Sequence, residues 1–382
     1  MPPPLPDILY ALEPVAWFLA TLPLFYYSLQ QPPSSRWKLL IFHILLPVQW
    51  FRKSDRLALL LPGCVFFVAM TALVAVVHLT SALMLERWTL AELRKTCPGR
   101  SDIAVVVKAW MNSRRSPLER RPGERTSWSQ RARFAGRKIS EMAVLGTMCI
   151  VLEGAILVGL QPSSDDFTEQ QRGYFHLQLD RQALLRFCLA FHWAWLTILF
   201  SQVLHNIMAI LFVAVIPLDH PDDWPPLYGS PRHAYSLRRF WGVFWHKIAA
   251  PSQAVYGRFI SRRIFKIKEG VSAEKCFVAF WVFAFSGICH ALVNSKVDPE
   301  TRDAFMDSRF LLLNFCGGFV ESLADGLVPW NVKRRVPPLG RKMMGFVWMY
   351  AFFNCTVPSY QWAEYHKLAL ERERGSSDVY VH

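Results

Sequence analysis

The stretch FWVFAFSGICHALVN, residues 280–294, decides the fold class of this 382-residue chain. It belongs to an apolar run, residues 276–293, without Asp, Glu, Lys or Arg, close to the ~20 residues a helix needs to cross a bilayer. A single histidine, His290, sits inside it. Such a group at membrane depth costs roughly 2.5 kcal/mol or more unless it is paired or faces a wet cavity. His290 is therefore a candidate functional residue; the plainer reading is a histidine packed or hydrogen-bonded between helices. The small pair Ser286-Gly287 would let another backbone or a ligand approach. Ser286 and Asn294 lie one helical turn to either side, where each can hydrogen-bond the imidazole and set its tautomer.

Working outward, comparable runs occupy residues 12–29, 37–50, 57–85, 142–160, 184–216, 310–328 and 343–360. The expected fold is all-α: a polytopic integral membrane protein of about eight spans, or seven if the short 37–50 run with Pro47 is re-entrant. Run 184–216 suits one tilted helix. Residues 1–360 are expected to form one membrane-embedded domain, followed by a polar C-terminal tail, 361–382. No basic segment precedes the first apolar run, so that run is expected to stay as an uncleaved span.

Composition agrees: 52% of residues are hydrophobic, 19% charged, and there are 15 Trp and 28 Phe, the aromatics lying largely at the edges of apolar runs as interfacial belts do. The formal charge of +14 raises the question of nucleic acid. Its distribution argues against that class, because bases concentrate in alternate connections and no zinc-finger or RNA-binding signature is present. Residues 86–141 carry 14 Lys/Arg against 6 Asp/Glu, and residues 217–275 carry 10 against 5. Residues 161–181 carry 2 against 4, and residues 329–342 carry 5 against none. The positive-inside rule then makes 86–141 and 217–275 two long basic cytoplasmic loops. The first, Ser/Arg/Pro-rich in its middle, is expected to be partly disordered or to hug the membrane surface. Arg52-Lys53 breaks the alternation if 37–50 is a span.

The eight cysteines show no C-x-x-C pair and lie mostly in or beside apolar runs, where cysteine behaves as a small hydrophobe. Neither a disulfide framework nor a metal site is expected. Glu153 and His205-Asn206 either line a cavity or make interhelical hydrogen bonds worth ~0.6 kcal/mol each. His78 and His192, near span ends, are expected to be structural.

A second marker is SLRRFWGVFWHK, residues 236–247. At helical spacing Phe240, Phe244 and Lys247 share one face, and Trp241, Trp245 and His246 another. One reading is an amphipathic helix in the headgroup plane without chemistry. The other is a wall of a donor tunnel in which Arg238, Arg239 or Lys247 holds phosphates.

Ser236, Leu237, Phe240, Trp241, Gly242, Trp245 and His246, followed by Phe285, Ser286, Gly287 and His290, resemble the paired motifs of the wax-synthase branch of the membrane-bound O-acyltransferases. They are most similar to the fungal members that acetylate terpenoid and meroterpenoid alcohols. Val243-Phe244 stands where that family usually carries a basic pair, so those two positions are not expected to grip phosphate. The resemblance implies His290 as catalytic base and His246 as a second catalytic-motif residue near the reaction centre. Trp241, Trp245, Arg238, Arg239 and Lys247 would then be on the donor side, with Ser286, Gly287 and Asn294 supporting. It implies acyl-CoA, acetyl-CoA by the closest similarity, as co-substrate with no bound cofactor. The partners implied are the bilayer and a lipophilic alcohol, and residence in the endoplasmic reticulum. The alternatives are a long-chain wax-ester synthase and, in another class, a transporter; no repeated halves of the kind transporters carry are present.

Overall fold

The computed structural model describes residues 5–61, 63–116, 126–174, 176, 178, 180–297, 303–327 and 335–379. Its principal helices are α1 (Leu5–Gln30), α2 (Leu40–Lys53), α3 (Val65–Thr80), α4 (Leu90–Thr96), α5 (Asp102–Trp110), α6 (Trp128–Leu160), α7 (Arg181–Ile210), α8 (Ala250–Phe259), α9 (Ser272–Val297), α10 (Met306–Leu327) and α11 (Pro338–Val379). No strand occurs among the described residues. The chain is an all-helical, multi-pass membrane protein. Among the described residues, six helices are long and apolar enough to cross a bilayer: Pro6–Gln30, Val65–Leu85, Trp128–Leu160, Arg181–Val215, Ser272–Val297 and Met306–Leu327.

The expected count of eight is not reached by this measure. The 37–50 run becomes α2, whose 14 residues rise about 21 Å at 1.5 Å each, short of the ~30 Å hydrocarbon core. Arg52-Lys53, the break in the charge pattern, is accommodated locally: Lys53 and Arg56 both pair with Glu13. The 343–360 run lies within α11, which continues to Val379. Residues 361–379, in the segment expected to be a polar tail, are helical.

The chain forms two compact units: Met1–Glu124 with Lys247–Phe315, and Arg125–His246 with Cys316–His382. In the first, α1 packs on α2, α2 on α3, α3 on α9 and α8 on α9. The basic stretch after α3 includes α4 and α5, while most of its Ser/Arg/Pro-rich middle, residues 117–125, lies outside the described residues. Thr89 and Glu92 close a capping box at the start of α4, and Ser101 caps α5. Leu90, Leu93, Cys97, Val105, Val106, Ala109 and Trp110 then bury themselves against Phe25, Leu29, Leu79 and Leu83. Burial of those side chains, each worth roughly 1.5–3 kcal/mol when large and apolar, holds α4 and α5 against the spans. Buried Arg36 ties the join together, donating to the carbonyls of Trp88 (2.7 Å), Gln31 (3.0 Å) and Leu83 (3.2 Å). In the second unit α6 pairs with α7, and α11 packs on α7.

Candidate functional site

His290 lies on α9, and its imidazole meets a residue that sequence reasoning did not single out. His290 Nδ1–H donates to Asp307 Oδ2 at 2.9 Å, across to α10. An ionised carboxylate only accepts, so this contact places the ring proton on Nδ1 and leaves the Nε2 lone pair available. The Asp307 side chain is 7% exposed and that of His290 34% exposed, so the orienting group is enclosed while the imidazole stays reachable. The Phe66 ring stands 5.8 Å from the imidazole.

The pairing depends on a glycine. A Cβ on Gly287 would lie 2.8 Å from the Ser308 Cα, so α9 and α10 touch backbone to backbone there. Ser308 Oγ–H also donates to the Gly287 carbonyl at 2.8 Å. Asp307 is the neighbour of Ser308, and the close crossing carries its carboxylate to His290. Neither Ser286 nor Asn294 supplies the tautomer-fixing bond: Ser286 Oγ–H donates instead to Gln253 Oε1 on α8, at 3.0 Å. The sequence signal for Asp307 was weak because the residue sat in a slightly acidic connection, three positions before the apolar run at 310. The helix in fact begins at Met306.

The second motif belongs to the other unit. Ser236 caps a single helical turn, its Oγ accepting from Arg239 N at 3.3 Å. The chain then widens, with Trp245 N–H donating five residues back to Phe240 O at 2.7 Å. Such i→i+5 turns recur at functional sites. The helical stretch here is short, residues 237–244. Leu237, Phe240, Phe244 and Trp245 are buried. Trp245 stacks on Trp193 (5.8 Å) and neighbours Phe240 (5.0 Å), and Phe240 packs on Phe353 (4.8 Å). The aromatic face of this turn thus buries against protein partners.

Three glycines outside the motif hold this turn by close approach. A Cβ on Gly229 would lie 2.4 Å from Val243 O, one on Gly345 would lie 2.0 Å from Tyr235 O, and one on Gly317 2.8 Å from Leu237 Cδ1. Gly242, inside the motif, has open space around its would-be Cβ. Glu321 of α10 anchors the turn from below: its Oε2 accepts from Leu237 N at 2.9 Å. Burial pushes the Tyr228 phenol well above its usual range, a hydrogen bond with Ser201 opposing the shift. The Tyr228 ring meets the rings of Trp245 (5.5 Å) and His246 (5.7 Å) nearly edge-on.

Of the expected donor-side residues, Arg238 lies 3.7 Å from Glu321 and 3.9 Å from Asp325. Arg239 donates to His233 O at 3.1 Å and covers the Tyr235 ring at 4.6 Å. Both guanidiniums thus have protein partners. Trp241 is half-buried beside Trp245, 5.2 Å between rings. Lys247 is exposed and is carried by the first unit. The structure brings Ser286, Gly287, His290 and Asn294 onto α9 of the first unit, with Arg238, Arg239, Trp241, Trp245 and His246 together in the second.

His290, Asp307 and the aromatic turn all lie within one continuous segment that known proteins share. Residues 224–313 match the membrane bound O-acyl transferase family. The chain is similar to acetyltransferase atnC of Arthrinium sp, 29% identical over 245 residues, covering 61% of this chain and 55% of that protein. It is 31% identical over 170 residues to acetyltransferase nanB of Aspergillus nanangensis, covering 43% of this chain and 40% of the relative. With acetyltransferase TRI7 of Fusarium sporotrichioides it shares 27% identity over 173 residues, 44% of this chain and 38% of the relative. The matches thus span about half the length of these relatives, or less. No solved structure matches the chain.

Proposed function

We propose that this chain is a membrane-embedded O-acyltransferase that moves an acetyl group from acetyl-CoA to a hydroxyl of a lipophilic secondary metabolite, a terpenoid or meroterpenoid alcohol. The observation that carries the reading is the His290–Asp307 pair at 2.9 Å inside the matched segment. In the proposed reaction His290 Nε2 removes the acceptor's hydroxyl proton as the oxygen attacks the thioester carbonyl. The C–S bond breaks, and the proton on Nε2 passes to the departing CoA thiolate. Asp307 fixes the tautomer before transfer and stabilises the imidazolium during it, the part a buried carboxylate plays beside a catalytic histidine. No covalent enzyme intermediate is required. An apolar surround limits competing hydrolysis.

Of the three cations expected on the donor side, Lys247 is assigned to a CoA phosphate, while Arg238 and Arg239 hold the motif turn. Trp241 and Trp245 form the aromatic part of that turn, and His246 stays a candidate on its motif position. The relatives' common name, acetyltransferase, favours a short acyl chain over the long chain of a wax-ester synthase. Residence in the endoplasmic reticulum follows from the same reading.

The test uses microsomes with wild type, His290→Ala or Asp307→Asn, supplied with acyl-CoAs from acetyl to palmitoyl and with terpenoid and fatty alcohols. Mass spectrometry should find acetyl esters of a terpenoid in wild type and none with His290→Ala. Asp307→Asn should lower kcat about 10- to 100-fold with KM little changed, the loss of a charge-assisted hydrogen bond worth ~1.5–3 kcal/mol. Equal ester formation by His290→Ala and wild type would remove the base and the mechanism. Long-chain esters of the fatty alcohol would shift the reading to wax synthesis.

A further inference from the structure

Away from His290, the second unit gathers three side chains of metal-ligating type between two spans. Cys149 and Glu153 stand one turn apart on α6, and His192 faces them from α7. One ligand atom from each lies within 4.8 Å of the other two. Cys149 Sγ is 3.5 Å from Glu153 Oε1, and that oxygen is 3.1 Å from His192 Nε2. We propose that Cys149, Glu153 and His192 form a zinc site that clamps α6 to α7.

Ligand spacing supports this. In a tetrahedral zinc site with Zn–S ≈ 2.3 Å and Zn–N/O ≈ 2.0–2.1 Å, neighbouring ligand atoms stand about 3.3–3.5 Å apart. The two edges given above, 3.5 and 3.1 Å, are near those values before any ion is added. Chemical type agrees as well: thiolate, imidazole and carboxylate are the three ligand classes zinc accepts.

Charge balance explains why such a site suits a membrane span. A lone carboxylate at membrane depth is expensive. One thiolate and one carboxylate cancel the charge of a divalent ion, and neutral His192 adds none, so the complex is neutral as a whole. Binding releases the Cys149 thiol proton. It leaves the imidazole proton on Nδ1, where Tyr365 Oη of α11, 3.1 Å away, accepts it. That hydrogen bond is the kind of outer contact that orients a metal-bound histidine. The surround is dry: Ile156, Leu185, Leu189 and Trp362 are buried in one cluster, with Leu152 and Tyr365 packed on it. Cys149 and His192 are buried, and the Glu153 side chain is 44% exposed.

The competing reading is a hydrogen-bonded trio without an ion, and metal counting separates the two. The full chain is purified in detergent through an affinity tag lacking histidine, equilibrated with Zn2+, desalted and analysed for metal. About one zinc per chain is expected in wild type and in Cys188→Ser, a control on the same helix pair. Occupancy should fall at least tenfold in Cys149→Ser and in His192→Gln. With Co2+ in place of zinc, a near-ultraviolet thiolate-to-metal band should appear in wild type and vanish in Cys149→Ser. That variant changes one atom, so it stays informative if His192→Gln does not fold. No zinc in wild type above the Cys149→Ser level, or a Co2+ spectrum indifferent to Cys149→Ser, overturns the site. Neither readout uses acyl transfer, so the result stands apart from the proposed reaction.

Discussion

Adding one methyl group to Gly287 should disable the His290–Asp307 pair without touching either residue. In Gly287→Ala the new Cβ would sit 2.8 Å from the Ser308 Cα, where ordinary contact begins at 3.4 Å. The obstacle is backbone, so no rotamer change relieves it, and α9 and α10 must part by about 0.6 Å, the difference of those two distances. The same displacement applied to Asp307 stretches its contact with His290 from 2.9 Å to about 3.5 Å, where a hydrogen bond is largely lost. A charge-assisted bond of ~1.5–3 kcal/mol, at 1.36 kcal/mol per tenfold, predicts a kcat lower by about 10- to 100-fold. KM should move little, since the pair acts on proton transfer. The assay is initial-rate acetyl transfer in microsomes, normalised to folded protein by size-exclusion chromatography. Gly146→Ala is the control, because a Cβ there meets nothing within 4 Å. A Gly287→Ala enzyme with kcat within twofold of wild type would refute the argument that helix approach sets the pair.

Other consequences concern the supports of each unit. Gly345→Ala forces a Cβ onto Tyr235 O and should destabilise the second unit by about 1–3 kcal/mol, read as a lower Tm than that of Gly159→Ala, where a Cβ meets open space. An unchanged Tm would mean the turn shifts freely. Glu321→Gln keeps an acceptor for the Leu237 N–H, whereas Glu321→Ala leaves it unpaired at ~1–3 kcal/mol; thermal unfolding should rank alanine well below glutamine. In the α4–α5 segment, the hydrogen bond from Arg94 holds the Asp102 carboxyl below its usual range. Because the folded value is depressed, the stabilisation is fully present above the unfolded pKa of about 3.9 and is lost as pH falls through the lowered folded value. Hydrogen exchange over residues 90–110 should therefore be flat from pH 7 to 5, after correction for intrinsic rates, and equally flat but faster in Asp102→Asn.

What the sequence determined by itself is local: apolar runs long enough to cross a bilayer, the all-helical class that follows, and one histidine too costly to be incidental. Length and hydropathy are properties of a single helix and survive any packing arrangement. The tertiary structure decided everything that depends on which faces meet. Starting α10 at Met306 adds a turn that carries Asp307, and each residue of offset rotates a helix face by ~100°, so hydropathy alone could not place that carboxylate opposite His290. Gly287 looked like a general invitation to close approach; only the crossing names Ser308 as what approaches. Arg238 and Arg239 looked like free cations until Glu321, Asp325 and His233, distant in sequence or hidden in a turn, turned out to be their partners. Cys149, Glu153 and His192 looked like separate span residues because 39 positions divide the last two. Two antiparallel spans erase that separation, since side chains far apart along the chain become neighbours wherever helix rotation points them into the same seam.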